Sequence, residues 1–211
     1  MANSAEGLAR LLEELGIEST STCANDMRAY LALLEKWNSA INLTATTEWT
    51  GLEPLFREAV LASQFYPTGR RSHLDIGSGG GFPALPLRIL RPQIRLEMVE
   101  SRLKRCVFLE TAVKSLGISN AFVHNARLNL FLEKTGHETL WDCVSWKALR
   151  LGANDLKILR NRSHADTQFW MFHGKTLAVD IPEEFEKFFQ LKQREILGTD
   201  REWYLSIYLP R

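Results

Sequence analysis

A glycine-rich segment between a short apolar run and a helix-compatible stretch constrains this chain more than any other feature. Residues 73–76 read His-Leu-Asp-Ile, and glycines follow at 77, 79, 80 and 81. Glycine lets the backbone turn sharply and approach a ligand without a Cβ in the way. Residues 84–90 then have the composition of a helix. A strand, a glycine loop and a helix in this order predict the opening of a βαβ unit.

The rest of the sequence after the glycine loop alternates between apolar runs and helical stretches. Further strands are predicted at 95–100, 121–124, 141–146 and 168–172, and helices at 102–116 and 151–160. Two last strands, 195–197 and 203–209, are expected to form a hairpin whose turn is residues 198–200. The pattern predicts an α/β fold with a mostly parallel, seven-stranded sheet and helices on both faces. Ligands of such sheets bind at the carboxyl ends of the strands, where the glycine loop falls.

The first third of the chain is predicted to be helical. Leu8, Leu11, Leu12 and Leu15 have helical spacing, and an apolar stripe runs through residues 27–41. A third helix is predicted at 52–65, ending before Pro67. We therefore expect residues 1–68 to form a helical extension packed on an α/β domain of residues 69–211.

Composition narrows the class of protein without identifying a partner. The 211 residues are 45% hydrophobic and 24% charged, as in a globular protein. A net charge of +1 neither supports nor excludes nucleic acid as a partner. No apolar run approaches the ~20 residues that cross a bilayer, and residues 1–10 carry no apolar signal core. We expect a cytoplasmic monomer with no membrane partner.

Two acidic residues accompany the glycine loop and indicate which cofactor it binds. Glu100 ends the second predicted strand, where a carboxylate can accept hydrogen bonds from both ribose hydroxyls of a nucleoside. Asp75 precedes the first glycine by two residues, and a buried acid there would repel a pyrophosphate but suit a positive amino group. The spacing is G-x-G-x-G, with Phe82 at the third glycine position of the dinucleotide pattern. These features favour S-adenosylmethionine, and a nicotinamide-dependent oxidoreductase stays an alternative.

The segment after the fourth predicted strand lacks the motifs that are usual in methyltransferases whose acceptor needs activation by a base or a nucleophile. Enzymes that methylate exocyclic amines commonly carry Asn/Asp-Pro-Pro-aromatic there, and this chain reads Val-Ser-Trp-Lys-Ala at 144–148. Cys143 lacks a preceding proline and is interpreted as a small core residue rather than a nucleophile. A ring nitrogen such as guanine N7 has a free lone pair and no proton to lose. The sequence is compatible with that chemistry; it identifies no catalytic residue and no metal ligands.

A basic segment follows Glu100 at a predicted helix start. Arg102, Lys104 and Arg105 place positive charge where the helix dipole disfavours it. A phosphate partner such as RNA would relieve this repulsion, and a solvated basic surface is the alternative interpretation.

Several motifs occur together along the chain: Trp37-Asn38, Asn42-Leu-Thr44, Asp75 to Pro83, Leu85-Pro-Leu87 and Glu100-Ser-Arg-Leu-Lys-Arg105. In this combination the chain, from about Met27 to about Gly174, resembles the bacterial 16S ribosomal RNA guanine-N7 methyltransferase family (GidB, or RsmG). The resemblance implies a Rossmann-like class I methyltransferase fold. It also implies S-adenosylmethionine as cofactor and ribosomal RNA or the small ribosomal subunit as partner.

The resemblance also assigns site residues. Gly77 and Phe82 should line the cofactor pocket, Glu100 should hold the ribose, and Leu128 and Asn129 should lie beside the adenine. Lys147 takes the place of a family arginine near the cofactor. The candidate cofactor site therefore comprises Asp75, Gly77, Gly79, Gly81, Phe82, Glu100, Leu128, Asn129 and Lys147.

The chain departs from the family pattern at four positions. Glu58 and Leu61 stand in a helical segment where the family has His-x-x-Asp-Ser, and His173 stands where it has lysine. Lys147 replaces arginine, which is not equivalent at a planar, multidentate site. Two alternatives stay open for this reason: a methyltransferase of the same fold with another RNA or a small molecule as substrate, and a non-catalytic module that binds the cofactor.

Overall fold

A twisted sheet forms the centre of the molecule. The computed structural model describes residues 4–69, 72–136, 138–174, 183–198 and 203–211. Within these residues the strands are β1 (Ser72–Ile76), β2 (Arg95–Glu100), β3 (Ala121–Asn125), β4 (Cys143–Lys147), β5 (Gln168–Gly174), β6 (Phe189–Ile196) and β7 (Trp203–Pro210). Their order is β3-β2-β1-β4-β5-β7-β6, parallel except for β7, which is antiparallel to both neighbours. The mostly parallel, seven-stranded sheet predicted from the sequence is confirmed.

Helices cover both faces of this sheet, as predicted. They are α1 (Ser4–Glu14), α2 (Thr22–Ile41), α3 (Trp49–Ser63), α4 (Ala84–Leu90), α5 (Leu103–Ser115), α6 (Leu128–Lys134), α7 (Ala153–Asn161) and α8 (Glu183–Phe188). Buried side chains of α1 to α5 form one core on the first face, and those of α6 to α8 form a second core on the other. None of the helices in the described part of the chain is long and apolar enough to cross a bilayer.

Some elements differ from the sequence-based prediction. Helices α6 and α8 were not predicted, because stretches of seven and six residues are too short to show helical periodicity. Strand β6 begins at Phe189 rather than at Glu195. Much of its length is exposed at the sheet edge, and its polar residues lack the apolar pattern by which a strand is predicted. The hairpin of β6 and β7 is confirmed. Of its predicted turn, residues 199 and 200 lie outside the described residues.

The N-terminal helices pack on the sheet through the apolar stripe of α2. Met27, Tyr30, Leu31 and Leu34 are buried, and Trp37 packs its ring 5.9 Å from the ring of Phe108 on α5. The predicted helical N-terminal region is thus present and shares a core with α4 and α5. The proposed division of the chain at residue 68 stays a prediction.

A buried polar network crosses from β1 to β4 beneath the glycine loop. The hydroxyl of Ser145 donates to Asp75 Oδ1 at 2.5 Å and lies 2.8 Å from His73 Nε2. Because that hydroxyl has one proton, His73 must donate through Nε2 when Asp75 is ionised. Burial lowers the pKa of His73 to about 3 and raises that of Asp75 to about 6, with the nearby Glu100 also raising the latter. His73 is therefore neutral at physiological pH.

Asparagine in place of Asp75 should change the pH dependence of folding stability. The pKa of this carboxyl rises from 3.8 to about 6 on folding. Its ionisation therefore lowers the free energy of unfolding as pH increases from about 4 through about 6. Asp75→Asn cannot ionise and still accepts from Ser145. Relative to the parent, its free energy of unfolding should grow by roughly 1–3 kcal/mol between pH 4 and pH 7.

The measurement is urea unfolding of both proteins at several pH values. Glu110→Gln, which alters an exposed carboxylate on α5, is the control and should follow the parent at every pH. Parallel stability curves for Asp75→Asn and the parent would show that Asp75 keeps an ordinary pKa in the folded protein.

Candidate functional site

The glycine loop joins β1 to α4 at the carboxyl edge of the parallel strands. The backbone N–H groups of Gly77 and Ser78 both donate to the carbonyl of Val99 on β2, at 2.8 and 3.3 Å. Gly77 has φ 72°, in the left-handed region that favours glycine, and a Cβ there would lie 3.2 Å from Leu149 Cδ2. The loop is thereby held across the end of β2 with its backbone open to a ligand.

Glu100 fixes the outer side of this loop. Its Oε2 accepts from the backbone N–H of Gly79 at 2.9 Å, and its Oε1 accepts from that of Arg102 at 2.8 Å. The side chain is buried, with 5% of the residue exposed. A carboxylate has about four lone-pair sites. These two bonds and a long one from the Ser101 hydroxyl to Oε1, at 3.5 Å, use three of them, and the rotatable hydroxyl can give up its site to a ligand. The predicted ribose-binding residue therefore also positions the glycine loop and the start of α5.

A cavity of about 250 Å³, here called the Leu128 cavity, opens beside Gly77. It is lined by Ile76, Gly77, Val99, Ser101, Ala126, Arg127, Leu128, Asn129, Leu149, Arg150, Leu151 and Asp155. Leu128 and Asn129 begin helix α6 and line this cavity, and their place beside an adenine stays a prediction. The mixture of apolar walls and a few polar groups suits a flat heteroaromatic ring.

A second cavity, here called the Thr44 cavity, measures about 290 Å³ and shares Gly77 with the first. It is lined by Leu43, Thr44, Ala45, Thr46, Gly51, Leu55, Gly77, Ser78, Gly79, Gly80, Phe82, Lys147 and Ala148. Six of these residues come from the N-terminal third and the others from the glycine loop and the end of β4. The two cavities therefore meet at the loop, one on the side of α6 and one under the N-terminal segment.

The Asn38 to Thr44 motif explains how the N-terminal segment reaches the loop. Asn42 ends helix α2 in the left-handed conformation with φ 48°, which asparagine tolerates. The buried Asn38 accepts through Oδ1 from the backbone N–H of Thr44 at 2.8 Å. This bond folds the chain back so that the carbonyl of Leu43 would lie 3.3 Å from a Cβ at Gly80. A side chain at position 80 would disturb that close contact.

Lys147 contributes the one charged side chain among the residues that line the Thr44 cavity. Its Nζ donates to Oε2 of Glu58 on α3. The same Nζ lies 5.0 Å from the centre of the Trp203 ring. Burial raises the pKa of the Glu58 carboxyl, and the charge of Lys147 opposes that rise. Two of the four departures from the family pattern thus contact each other. Leu61 and His173 line neither of the two cavities.

Three predicted cofactor residues line neither cavity: Glu100, described above, and two that lie beneath the loop. Asp75 is 2% exposed and bonds to Ser145. Gly81 faces the core, where a Cβ would come within 2.7 Å of Leu85 Cδ1 and 3.0 Å of the Tyr30 hydroxyl. Their positions support the loop from below, and a direct contact of either with a cofactor stays a prediction.

The basic segment divides into two parts. Arg102 and Lys104 are exposed at the start of α5. Arg105 is partly buried, donates to the carbonyl of Asn42 at 3.4 Å and places Nη1 near Gly79. Arg105 therefore joins the N-terminal segment to the glycine loop, and the exposed pair is free to meet a partner.

Sequence reasoning missed most of the walls of both cavities. No local pattern in the segments 43–46 and 149–151 signals a binding role. The fold-back after helix α2 brings the first segment to the loop, and the position of β4 in the sheet brings the second. The Asn42-Leu-Thr44 motif was the one available signal for the first segment. A cavity against β3, of about 580 Å³ and larger than either of these two, contains none of the predicted site residues. The glycine loop, and not cavity size, identifies the candidate site.

Comparisons with known proteins concern the fold and the family. The fold resembles ribosomal protein L11 methylase from Lactobacillus delbrueckii subsp. bulgaricus, with a TM-score of 0.57 and 12% identity over 73% of this chain and 77% of that chain. That likeness concerns the fold alone, which is the Rossmann-like fold of class I methyltransferases.

Sequence relatives give the family. Ribosomal RNA small subunit methyltransferase G of Geobacillus kaustophilus is 35% identical over 66% of this chain. The matched segment spans 59% of that relative's length. The protein of the same name from Streptococcus gordonii is 30% identical over 84% of this chain and 75% of its own length. The family model described as rRNA small subunit methyltransferase G matches residues 23–199. The chain belongs to the rRNA small subunit methyltransferase G (GidB) family.

Proposed function

We propose that this chain uses S-adenosylmethionine to methylate N7 of a guanine in 16S ribosomal RNA. The observation that carries the proposal is the Glu100 carboxylate, bonded to Gly79 two residues after Gly77, which lines both cavities. Family membership supports the same activity, because the relatives carry the name of a small-subunit ribosomal RNA methyltransferase.

The residues present fit this cofactor. Glu100 keeps lone pairs available for the ribose hydroxyls, and the Leu128 cavity adjoins it for the adenine. The methionyl end would then lie along the backbone of Gly77 and Gly79, where the absence of side chains leaves room. The cofactor supplies an electrophilic methyl group when bound. The Thr44 cavity lies on the other side of Gly77 and would receive the acceptor base.

Positioning is the main catalytic contribution we assign to the chain. Guanine N7 has a lone pair in the ring plane and no proton to remove, so no general base is required. Holding the acceptor in line with the methyl group can supply much of the rate acceleration. The walls of the Thr44 cavity, from the N-terminal segment and Phe82, would hold the base and exclude water.

Other functions have less support. A nicotinamide-dependent oxidoreductase would place a pyrophosphate near the buried Asp75, which is electrostatically unfavourable. A methyltransferase of the same fold with another RNA or a small molecule as substrate is the second candidate. The observation that favours it is the pairing of Lys147, which lines the Thr44 cavity, with the buried Glu58, since both residues depart from the family pattern.

Removal of the Glu100 charge should weaken cofactor binding. Glu100→Gln keeps the shape and one acceptor but loses charge-assisted hydrogen bonds to the ribose, so affinity for S-adenosylhomocysteine should fall by about 1–2 kcal/mol. Glu100→Ala should lose more, roughly 1.5–3 kcal/mol, because the glycine loop also loses its anchor. Isothermal titration calorimetry measures both.

The matched control is Glu97→Gln, a buried carboxylate on the same strand that bonds to Arg95 and His124 instead. It should leave cofactor affinity unchanged. Unaltered binding in both Glu100 variants would place the ribose elsewhere. Tight binding of NAD by the parent, with no binding of S-adenosylmethionine or its product, would overturn the cofactor assignment.

Loss of the exposed charges on α5 should weaken RNA binding and reduce its salt dependence. Each phosphate contact with a single strand contributes a slope of about −0.7 to the logarithmic salt dependence of binding. Arg102→Ala combined with Lys104→Ala should flatten the slope by roughly one to two units if both side chains touch phosphate. Fluorescence anisotropy with a fragment of 16S ribosomal RNA at several salt concentrations measures this.

The charge-matched control is Lys157→Ala with Lys192→Ala, two exposed lysines on α7 and the edge strand β6. This control should keep the parent slope, and cofactor affinity should be normal in both double variants. An unchanged slope in the α5 variant would mean that its basic residues form only a solvated helix face.

A further inference from the structure

The contact between Glu58 and Lys147 joins helix α3 to the end of β4 inside the protein. Glu58 is 1% exposed, and its Oε2 accepts from Lys147 Nζ. Its second oxygen, Oε1, is buried and has no hydrogen-bond partner among the described residues. Burial of this ion pair costs desolvation free energy, and an apolar pair of similar size could fill the same volume without that cost. We therefore expect the charges to have a function.

The position of Lys147 gives this contact its importance. Lys147 is the only charged residue among the described residues that line the Thr44 cavity, which it shares with Gly77 and Gly79. A lone ammonium group at that wall would raise the electrostatic potential in the cavity. The effect would extend to the glycine loop, because Gly77 and Gly79 line the same cavity.

The proposed cofactor carries a positive charge on its sulfonium sulfur, and its demethylated product is neutral at that atom. An uncompensated Lys147 would therefore disfavour the cofactor more than the product. We propose that Glu58 is the counter-ion that neutralises Lys147 at the Thr44 cavity and so maintains the preference for S-adenosylmethionine over S-adenosylhomocysteine. This inference rests on the proposed use of S-adenosylmethionine.

Glu58 acts here as a positioning residue, through Lys147, and touches no reacting atom. Methyl transfer to guanine N7 moves positive charge from the sulfur to the base, so both the donor before transfer and the acceptor after it are cationic. A neutral ion pair at the cavity wall opposes neither state. It also holds the lysine side chain against Glu58 and away from the space that the base would occupy.

The test compares the affinities of the two ligands in charge variants of the pair, measured by calorimetry. Glu58→Gln is nearly isosteric and leaves Lys147 uncompensated. It should raise the ratio of the S-adenosylmethionine Kd to the S-adenosylhomocysteine Kd by about threefold to tenfold, the scale of one unbalanced charge at an effective dielectric constant of ~20. Lys147→Met should move the ratio in the opposite direction and by less, because loss of the lysine charge lets burial raise the pKa of the Glu58 carboxyl further.

Removal of both charges, Glu58→Gln with Lys147→Met, should return the ratio to within about twofold of the parent value. Glu58→Asp should preserve it, because the negative charge is retained. The matched control is Glu53→Gln on the same helix, where the carboxylate bonds to Arg57 outside both cavities. This control should leave the ratio unchanged, and thermal melting confirms that each variant is folded.

Equal changes in both affinities, or a ratio that neither single variant moves, would overturn the counter-ion assignment and leave the contact with a structural role. That result differs from failure of the proposed function, in which the parent protein itself would bind neither ligand.

Discussion

The hydrogen bonds from the backbone of Gly79 and Arg102 to the Glu100 carboxylate organise the candidate site. They tie the glycine loop to the end of β2 and to the start of α5, so three elements share one anchor. The loop can then present bare backbone between two cavities without collapsing into either. Because the same carboxylate keeps lone pairs available to a ligand, the group that shapes the loop can also bind the ribose in our proposal.

The N-terminal helices complete the site rather than merely covering the sheet. The Tyr30 hydroxyl donates to the carbonyl of Gly80 at 2.5 Å, and Arg105 donates to the carbonyl of Asn42. These contacts hold the Leu43–Thr46 segment against the loop and create the Thr44 cavity. In our proposal, the α/β core determines which cofactor is bound, and the N-terminal segment together with Lys147 determines which acceptor fits.

The sequence predicted what depends on local pattern. Alternating apolar runs gave the sheet and its antiparallel hairpin, and the glycine spacing with Glu100 located the site. Helix α6 and most of strand β6 were missed, because a seven-residue helix shows no periodicity and an exposed edge strand reads as polar. The contact of Glu58 with Lys147 could not be predicted either, since residues 89 positions apart meet only through the packing of α3 on the sheet and the position of β4 within it. Arg105 was expected to face RNA, and its contact with Asn42 likewise depends on how the N-terminal segment folds back.

The most direct test of the central proposal is the modification of ribosomal RNA itself. Small ribosomal subunits from a strain that lacks this gene would be incubated with the purified protein and S-adenosylmethionine. Mass spectrometry of their 16S RNA would then be done on oligonucleotide fragments, which give the position of a methyl group, and on nucleosides, which give the modified atom. We predict that 7-methylguanosine is absent from one site before incubation and appears there afterwards. Unmodified 16S RNA after incubation, or a methyl group on any other base or atom, would contradict the proposal.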